Sequence, residues 1–348
     1  LNVVTEENIY NEIPQNNNTL FTMSKKVFGA SNFSIFFLNR ENTKDYQFSD
    51  RSKKFNRVIG GEYNLASADS KWSGKLFLHK SFNPKNETDE KNLSSGILLS
   101  RNTKKHFFMI YSAYVGDDFR SDLGYYRRYG MYKFEPNYKF RIYPKNENIQ
   151  EIELSHYAAW VFRPNFKNNY EGNIHYSTFQ IKYLNTSRLS IQRRQSKTYL
   201  YNEFDPIRSS NSIPLESNQF YNFVDYNISY KSSSRDIFSI DSEVSYGSFF
   251  NGNKFSLKSN FSYRVQPYFN TSINIGFDSI KLPEPYRNGN IWLISPKFEL
   301  TFSKKTFWKT YIQYSSQSEN LGINSRLQWR FAPLSDLYLV YNDNYYTI

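Results

Sequence analysis

Between residues 321 and 331 the chain alternates strictly. Leu321, Ile323, Ser325, Leu327, Trp329 and Phe331 fall on one parity, and Gly322, Asn324, Arg326, Gln328 and Arg330 on the other. A period of two sends these sets to opposite faces of a pleated strand. A short connection at 332–335 leads to a second run through Leu337, Leu339 and Tyr341, so the pair predicts a hairpin. The pattern recurs upstream. Residues 254–266 set Phe255, Leu257, Phe261, Tyr263 and Val265 against Ser256, Lys258, Asn260, Ser262 and Arg264, and 269–280 alternate likewise after a turn at Pro267.

Read along the whole chain, the pattern predicts strands at 1–4, 20–28, 32–40, 55–65, 71–80, 96–101, 105–115, 132–143, 149–162, 170–184, 188–204, 220–230, 237–249, 254–266, 269–280, 292–302, 307–314, 321–331 and 337–341. That is about nineteen, most near the ~9–11 residues a tilted membrane-spanning strand needs. Tight turns alternate with longer loops for much of the chain. The turns are expected at Gly29, Lys104, Pro144, Asn185, Ser233, Pro267, Lys304 and Pro333, and the loops around Lys44, Asn86, Asp118, Ile213 and Pro283. In outer-membrane barrels short turns lie in the periplasm and long loops outside. The expected architecture is a single all-β domain over 1–348, a large antiparallel transmembrane β-barrel of the bacterial outer membrane. Single-chain bacterial barrels have even strand numbers, so a complete barrel of ~20–22 strands is expected, with at least one strand outside this numbering.

Composition narrows the alternatives. Aromatic residues make up 19%, with 30 Tyr and 31 Phe, too many for a disordered polyampholyte. No stretch approaches the ~18 apolar residues of a spanning helix, convincing amphipathic helices are lacking, and a propeller's ~40–50-residue repeat is absent. The chain has no cysteine, so cysteine usage says nothing of compartment. Aromatics gather near strand ends, at Tyr143, Trp160, Tyr170, Tyr230, Tyr246, Trp292, Trp308, Trp329 and Tyr345, as interfacial girdles would. Alternation then predicts that Leu257, Phe261, Ile273, Ile275, Leu327 and Trp329 face lipid, while Lys258, Arg264, Asn274, Arg326 and Arg330 face a lumen.

Charge adds a second layer. The chain carries 44 Lys and Arg against 32 Asp and Glu, a formal +12. Part of the excess sits on the polar strand face: Lys182, Arg194, Lys258, Arg264, Arg326 and Arg330. A charge facing lipid at mid-membrane costs ~2–4 kcal/mol, so these six are expected to line the lumen. Either they make it basic and favour anionic solutes, or carboxylates such as Asp241, Glu243 and Glu299 pair with them and the field is small. The two readings stand level. Nucleic acid is not an expected partner, because the aromatics that would stack on bases are assigned to lipid and girdles.

Chemistry-bearing motifs are few. Asp117, Asp118 and Asp122 could offer oxygen ligands to Ca²⁺, but the EF-hand spacing is missing, and solvated carboxylates pairing with Arg120, Arg127 and Arg128 are the simpler expectation. His79, His106, His156 and His175 fall on separate strands without i, i+4 partners. No nucleophile elbow, phosphate loop or zinc-protease motif occurs. Neither catalysis nor a cofactor is expected. A barrel this wide would leak, so something should block it. Two long loops are candidates, 6–18 and 205–218, and the second is the candidate gate: Pro206 and Pro214 restrict the backbone, and Ile207, Ile213 and Leu215 prefer burial to water.

Four stretches carry a family resemblance: LNVVTEE at 1–7, NRVIGG at 56–61, GDDFRSDLGY at 116–125 and LGINSRLQWRFAPLSDLYLVYNDN at 321–344. Together they resemble the C-terminal barrel domain, of unknown function, of a Bacteroidota outer-membrane family whose members carry an N-terminal module like family 9 carbohydrate-binding domains. Members have that module and further strands before the position of Leu1, and a last strand after that of Ile348. The resemblance implies residence among outer-membrane lipid and lipopolysaccharide, with other outer-membrane or surface lipoprotein subunits as partners. The function expected is a transport or passage element, or a barrel subunit of a cell-surface assembly. The alternative is a plugged scaffold presenting the carbohydrate-binding-like module, with any hydrolase activity confined to that module.

Overall fold

The computed structural model describes residues 1–48, 53–84, 91–163, 170–208 and 212–347. The loop expected around Asn86, and Ile348, lie outside the described residues. Nineteen strands follow one another: β1 Asn2–Thr5, β2 Asn16–Val27, β3 Ser31–Asn42, β4 Phe55–Ala66, β5 Trp72–Phe82, β6 Leu93–Asn102, β7 His106–Val115, β8 Met131–Ile142, β9 Ile149–Phe162 and β10 Gly172–Tyr183. The remainder are β11 Arg188–Leu200, β12 Gln219–Lys231, β13 Phe238–Phe249, β14 Gly252–Val265, β15 Phe269–Lys281, β16 Gly289–Ser303, β17 Thr306–Ser315, β18 Asn320–Ala332 and β19 Ser335–Tyr346. All belong to one antiparallel sheet, and the described residues contain no α-helix.

Hairpins between successive strands account for most of the pairing. At the β2–β3 turn Gly29 adopts φ +79°, a region open to glycine at no steric cost. The β18–β19 connection is tighter than the sequence predicts. Ala332 already pairs with Ser335, leaving Pro333 and Leu334 as the turn. β19 also runs on to Tyr346, where Asn342 and Asn344 interrupt the apolar rhythm but still find backbone partners on β18. β11 stops at Leu200 instead of 204, because the chain from 201 onward turns aside into a loop.

The chain forms two compact units, Leu1–Phe140 with His156–Asn173, and Arg141–Ser155 with Ile174–Ile348. In the first, register sets Met23 beside Ile35, Ile35 beside Gly61 and Gly61 beside Leu78, and likewise Phe21 beside Phe37 and Phe37 beside Ile59. This face is apolar and exposed: Met23 and Leu78 are each 56% accessible and Ile59 52%. The opposite face holds Asn56, Val58, Glu62, His79, Ser81 and Ser94, and of these Ser81 and Ser94 are fully buried. Polar groups lie under cover while phenylalanines and isoleucines lie bare, the reverse of a water-soluble core.

The second unit shows the same division. An apolar row crosses six strands, from Ile191 through Ile228, Val244, Leu257 and Phe277 to Trp292. One residue along, on the other face, Gln192, Asn227, Ser245, Ser256 and Asp278 form a polar row. Leu257, Phe261, Ile273 and Ile275 share the apolar face, and Lys258, Arg264 and Asn274 the polar one.

Gly60 shows how closely the polar face of the first unit is packed. A Cβ there would run into the Phe36 ring and come within 2.6 Å of His79 Cδ2. Gly60→Ala is therefore expected to push His79 aside at a cost of about 1–3 kcal/mol. Urea titration of the folded protein measures this, and an unchanged midpoint would show that the rings yield freely.

Candidate functional site

Two loops fold onto the polar face, one in each unit. In the first unit, residues 116–130 leave β7 still hydrogen-bonded to the strand edge beside them, through Gly116 N to Leu93 O at 2.8 Å and Asp118 N to Lys91 O at 2.9 Å. Gly116 is required there, since a Cβ would collide with the Lys91 carbonyl. The chain then lies across the polar ends of β4 and β5. Asn56 clamps it from both sides, its Nδ2 donating to Arg120 O at 2.9 Å and its Oδ1 accepting from Asp122 N at 2.9 Å. Ser81 Oγ accepts from Arg120 N at 3.1 Å. Phe119, 1% exposed, packs with Val58 and Val115 against Phe36, Leu38, Tyr126 and Met131.

Ionic contacts hold the same loop. Asp122 receives the Arg120 guanidinium at 2.5 Å and lies 3.6 Å from that of Arg40. Tyr126 OH meets His79 Nδ1 at 2.9 Å, while His79 Nε2 faces Glu62 at 3.2 Å. Arg128 bonds to Glu171, which also accepts from Arg163 at 2.6 Å. Ordering a loop costs about 1–2 kcal/mol per residue in backbone entropy, so a buried phenylalanine, a two-sided amide clamp and three ion pairs are the scale of contact that keeps it in place.

In the second unit residues 201–208 and 212–218 behave similarly by different means, the three between them lying outside the described residues. Phe204 and Leu215 exchange backbone hydrogen bonds of 3.2 and 2.8 Å, closing the loop on itself. Leu215 is completely buried against Tyr221 and Phe223, with Leu200, Phe249, Phe250 and Tyr286 around them. Tyr221 and Phe223 have the parity of Asp225, so this cluster stands on the polar face. Asp205 caps the turn after Pro206 by accepting from Ile207 N at 2.9 Å. Ile207 covers Gly289, where any Cβ would meet its side chain at 2.8 Å, and its carbonyl accepts from Gln317 Nε2 at 3.1 Å. Pro206, Ile207 and Pro214 are half-buried, Leu215 is buried, and Ile213 stays exposed.

The six predicted basic residues divide by environment. Arg194 pairs with Asp225 at 2.6 Å and Arg330 with Asp336 at 3.2 Å. Arg264 donates to Ser234 O at 2.8 Å. Arg326 lies 4.3 Å over the Tyr338 ring. Lys258 stands opposite Glu243 in the ladder, with no ion pair among the described residues. Lys182, half-buried on β10, has the parity of Thr178, which bonds to Gln192 of the polar face. Of the named carboxylates, Asp241 binds Lys231 at 2.6 Å, and Glu299 holds Lys297 at 2.8 Å and Lys309 at 3.2 Å.

Asp117, Asp118 and Asp122 do not assemble into a site. Among the described residues no group of three His, Asp or Glu side chains is placed to hold a metal ion. His106 bonds to Tyr138 OH at 2.8 Å, away from His79 and its partners. Sequence reasoning missed the docking of 116–130, for which it considered only the aspartates and their arginine neighbours, of which Arg120 does pair with Asp122. A signal was present: Phe119, Tyr125, Tyr126 and Tyr129 are four aromatics in a connection that water alone would not favour.

The arrangement defines a class: an all-β antiparallel sheet whose apolar face is bare and whose polar face carries a docked loop in each unit. No family model matches the chain, and no curated protein matches it.

Proposed function

We propose that this chain forms the wall of a bacterial outer-membrane β-barrel that serves as a gated passage for solutes. The exposed apolar face carries the proposal. Leaving one large aliphatic or aromatic side chain in water forgoes about 1.5–3 kcal/mol, and row after row of them is bare on this sheet. Lipid supplies the missing apolar surroundings. Full-length strands of 10–15 residues at ~3.3 Å per residue cross the ~25 Å apolar band of an outer membrane even when tilted. In hydrocarbon an open sheet edge is not tolerated, so the sheet closes into a barrel there. The resemblance of 116–125 and 321–344 to the Bacteroidota barrel domain supports the same membrane, with lipopolysaccharide as a neighbour. The reading assigns the chain no catalytic role.

Loops docked on the polar face favour a passage closed at rest. They equally suit a barrel that presents partners in a surface assembly, which is the second reading. Refolding the denatured chain into lipid vesicles tests the membrane assignment: folded protein should migrate differently before and after boiling and resist added protease. A chain that stays protease-sensitive at the vesicle surface overturns it. Planar-bilayer recording separates the two readings, since a passage conducts, at least transiently, and a scaffold instead co-purifies with a stoichiometric partner and conducts nothing.

A further inference from the structure

On the polar face of β14–β18 the ladder places Arg264 beside Asn270, Asn270 beside Glu299, Glu299 beside Lys309 and Lys309 beside Arg326. This row walls a concavity of about 780 Å³ that Gln328 and Phe307 also line. Three cations of the wall face one carboxylate, and that carboxylate is already committed, to Lys309 and to Lys297. Asn270 Nδ2 donates to it at 2.7 Å as well. The nearby Asp336 is engaged by Arg330 and Gln328. Arg264 and Arg326 thus have no carboxylate within ion-pair distance among the described residues; Arg264 bonds to a carbonyl, and Arg326, over a ring, feels Asp336 only at longer range.

We propose that this concavity binds a hydrophilic organic anion bearing several phosphate or carboxylate groups. Two features set the ligand class. Guanidinium forks match the paired oxygens of phosphate and carboxylate, and Arg326 already rests 4.3 Å over the Tyr338 ring. Strands lie ~4.8 Å apart, so Arg264 and Arg326, four strands apart on the wall, are separated by roughly 19 Å at the backbone. One inorganic phosphate engages one end of the row. A larger polyanion engages both ends as the long side chains converge on it.

The proposal rests on the polar face being the wet interior of the passage. Its test, however, is run in detergent micelles on protein whose heat-modifiable migration shows it folded, so a failure of binding is distinct from a failure to form a barrel. Inositol hexakisphosphate serves as probe, with inorganic phosphate and uncharged inositol as references, by calorimetry at fixed ionic strength. Saturable binding at least tenfold tighter than phosphate is expected. The R264Q/R326Q double variant should weaken it tenfold or more, while K182Q, which removes a polar-face cation elsewhere, should leave it within twofold. Equal losses in the two variants would reduce the site to diffuse charge and overturn the proposal, as would probe binding no tighter than that of phosphate or inositol.

Discussion

Ile228→Arg is expected to destabilise the protein in vesicles by about 1–3 kcal/mol, the depth-dependent cost of a cation on the lipid face. Asn227→Arg, one residue away, is expected to change stability by less than about 0.5 kcal/mol, as surface substitutions in water do. Ile228 is 54% accessible. It therefore has little packing to lose, and in a water-soluble protein its replacement by arginine would be as mild as that of Asn227. Only a hydrocarbon neighbour makes the pair unequal. Urea titration of vesicle-folded protein reads the difference. Equal midpoints for the two variants would remove the membrane from the interpretation, and a more severe Asn227→Arg would show that the faces are reversed.

The second large effect concerns the docked loops. Phe119→Ala removes the only phenylalanine fully buried among the described residues, at a cost of about 3–5 kcal/mol. Because the entropy of ordering residues 116–130 already offsets most of what their contacts contribute, the loop should release from Asn56 and Ser81 while the strands stay paired. Deletion of Ile207 through Leu215 should do the same for the second unit, by removing Leu215 from its cluster with Tyr221 and Phe223. Barrels of 16–18 strands already leave an aqueous channel. Releasing both loops is therefore expected to raise single-channel conductance severalfold, and to sensitise a porin-deficient strain to large antibiotics. If neither changes, the loops do not gate a passage and the scaffold reading takes its place.

Much of this architecture is local physics and could be read from the chain. Alternation at 321–331 requires no partner to be recognised, because a pleated backbone sends successive side chains to opposite faces whatever lies next to it. That reasoning extends to Leu257 against Lys258 and to Ile273 against Asn274, and it yields the strand count. Turn residues such as Gly29 carry their own backbone preference and mark the hairpins. Strand ends were less legible, as at β11 and β19, where polar residues either extend the ladder or leave it according to what the neighbouring segment offers.

Tertiary structure decided what the polar face holds. No period governs residues 116–130, and the aspartates that stand out in that sequence are less consequential than Phe119, whose burial depends on Val58 and Val115 being brought together by the ladder. Asn56 is an unremarkable strand asparagine until Arg120 and Asp122 fold across it. The basic residues were visible one by one, but which remain without an ion pair depends on register: Arg194 meets Asp225, whereas Arg264 meets an amide and Arg326 a lysine along a row of five strands. Facing is encoded within a strand, by geometry every residue shares. Docking and charge balance are sums over residues distant in sequence, and only the folded register determines which of them meet.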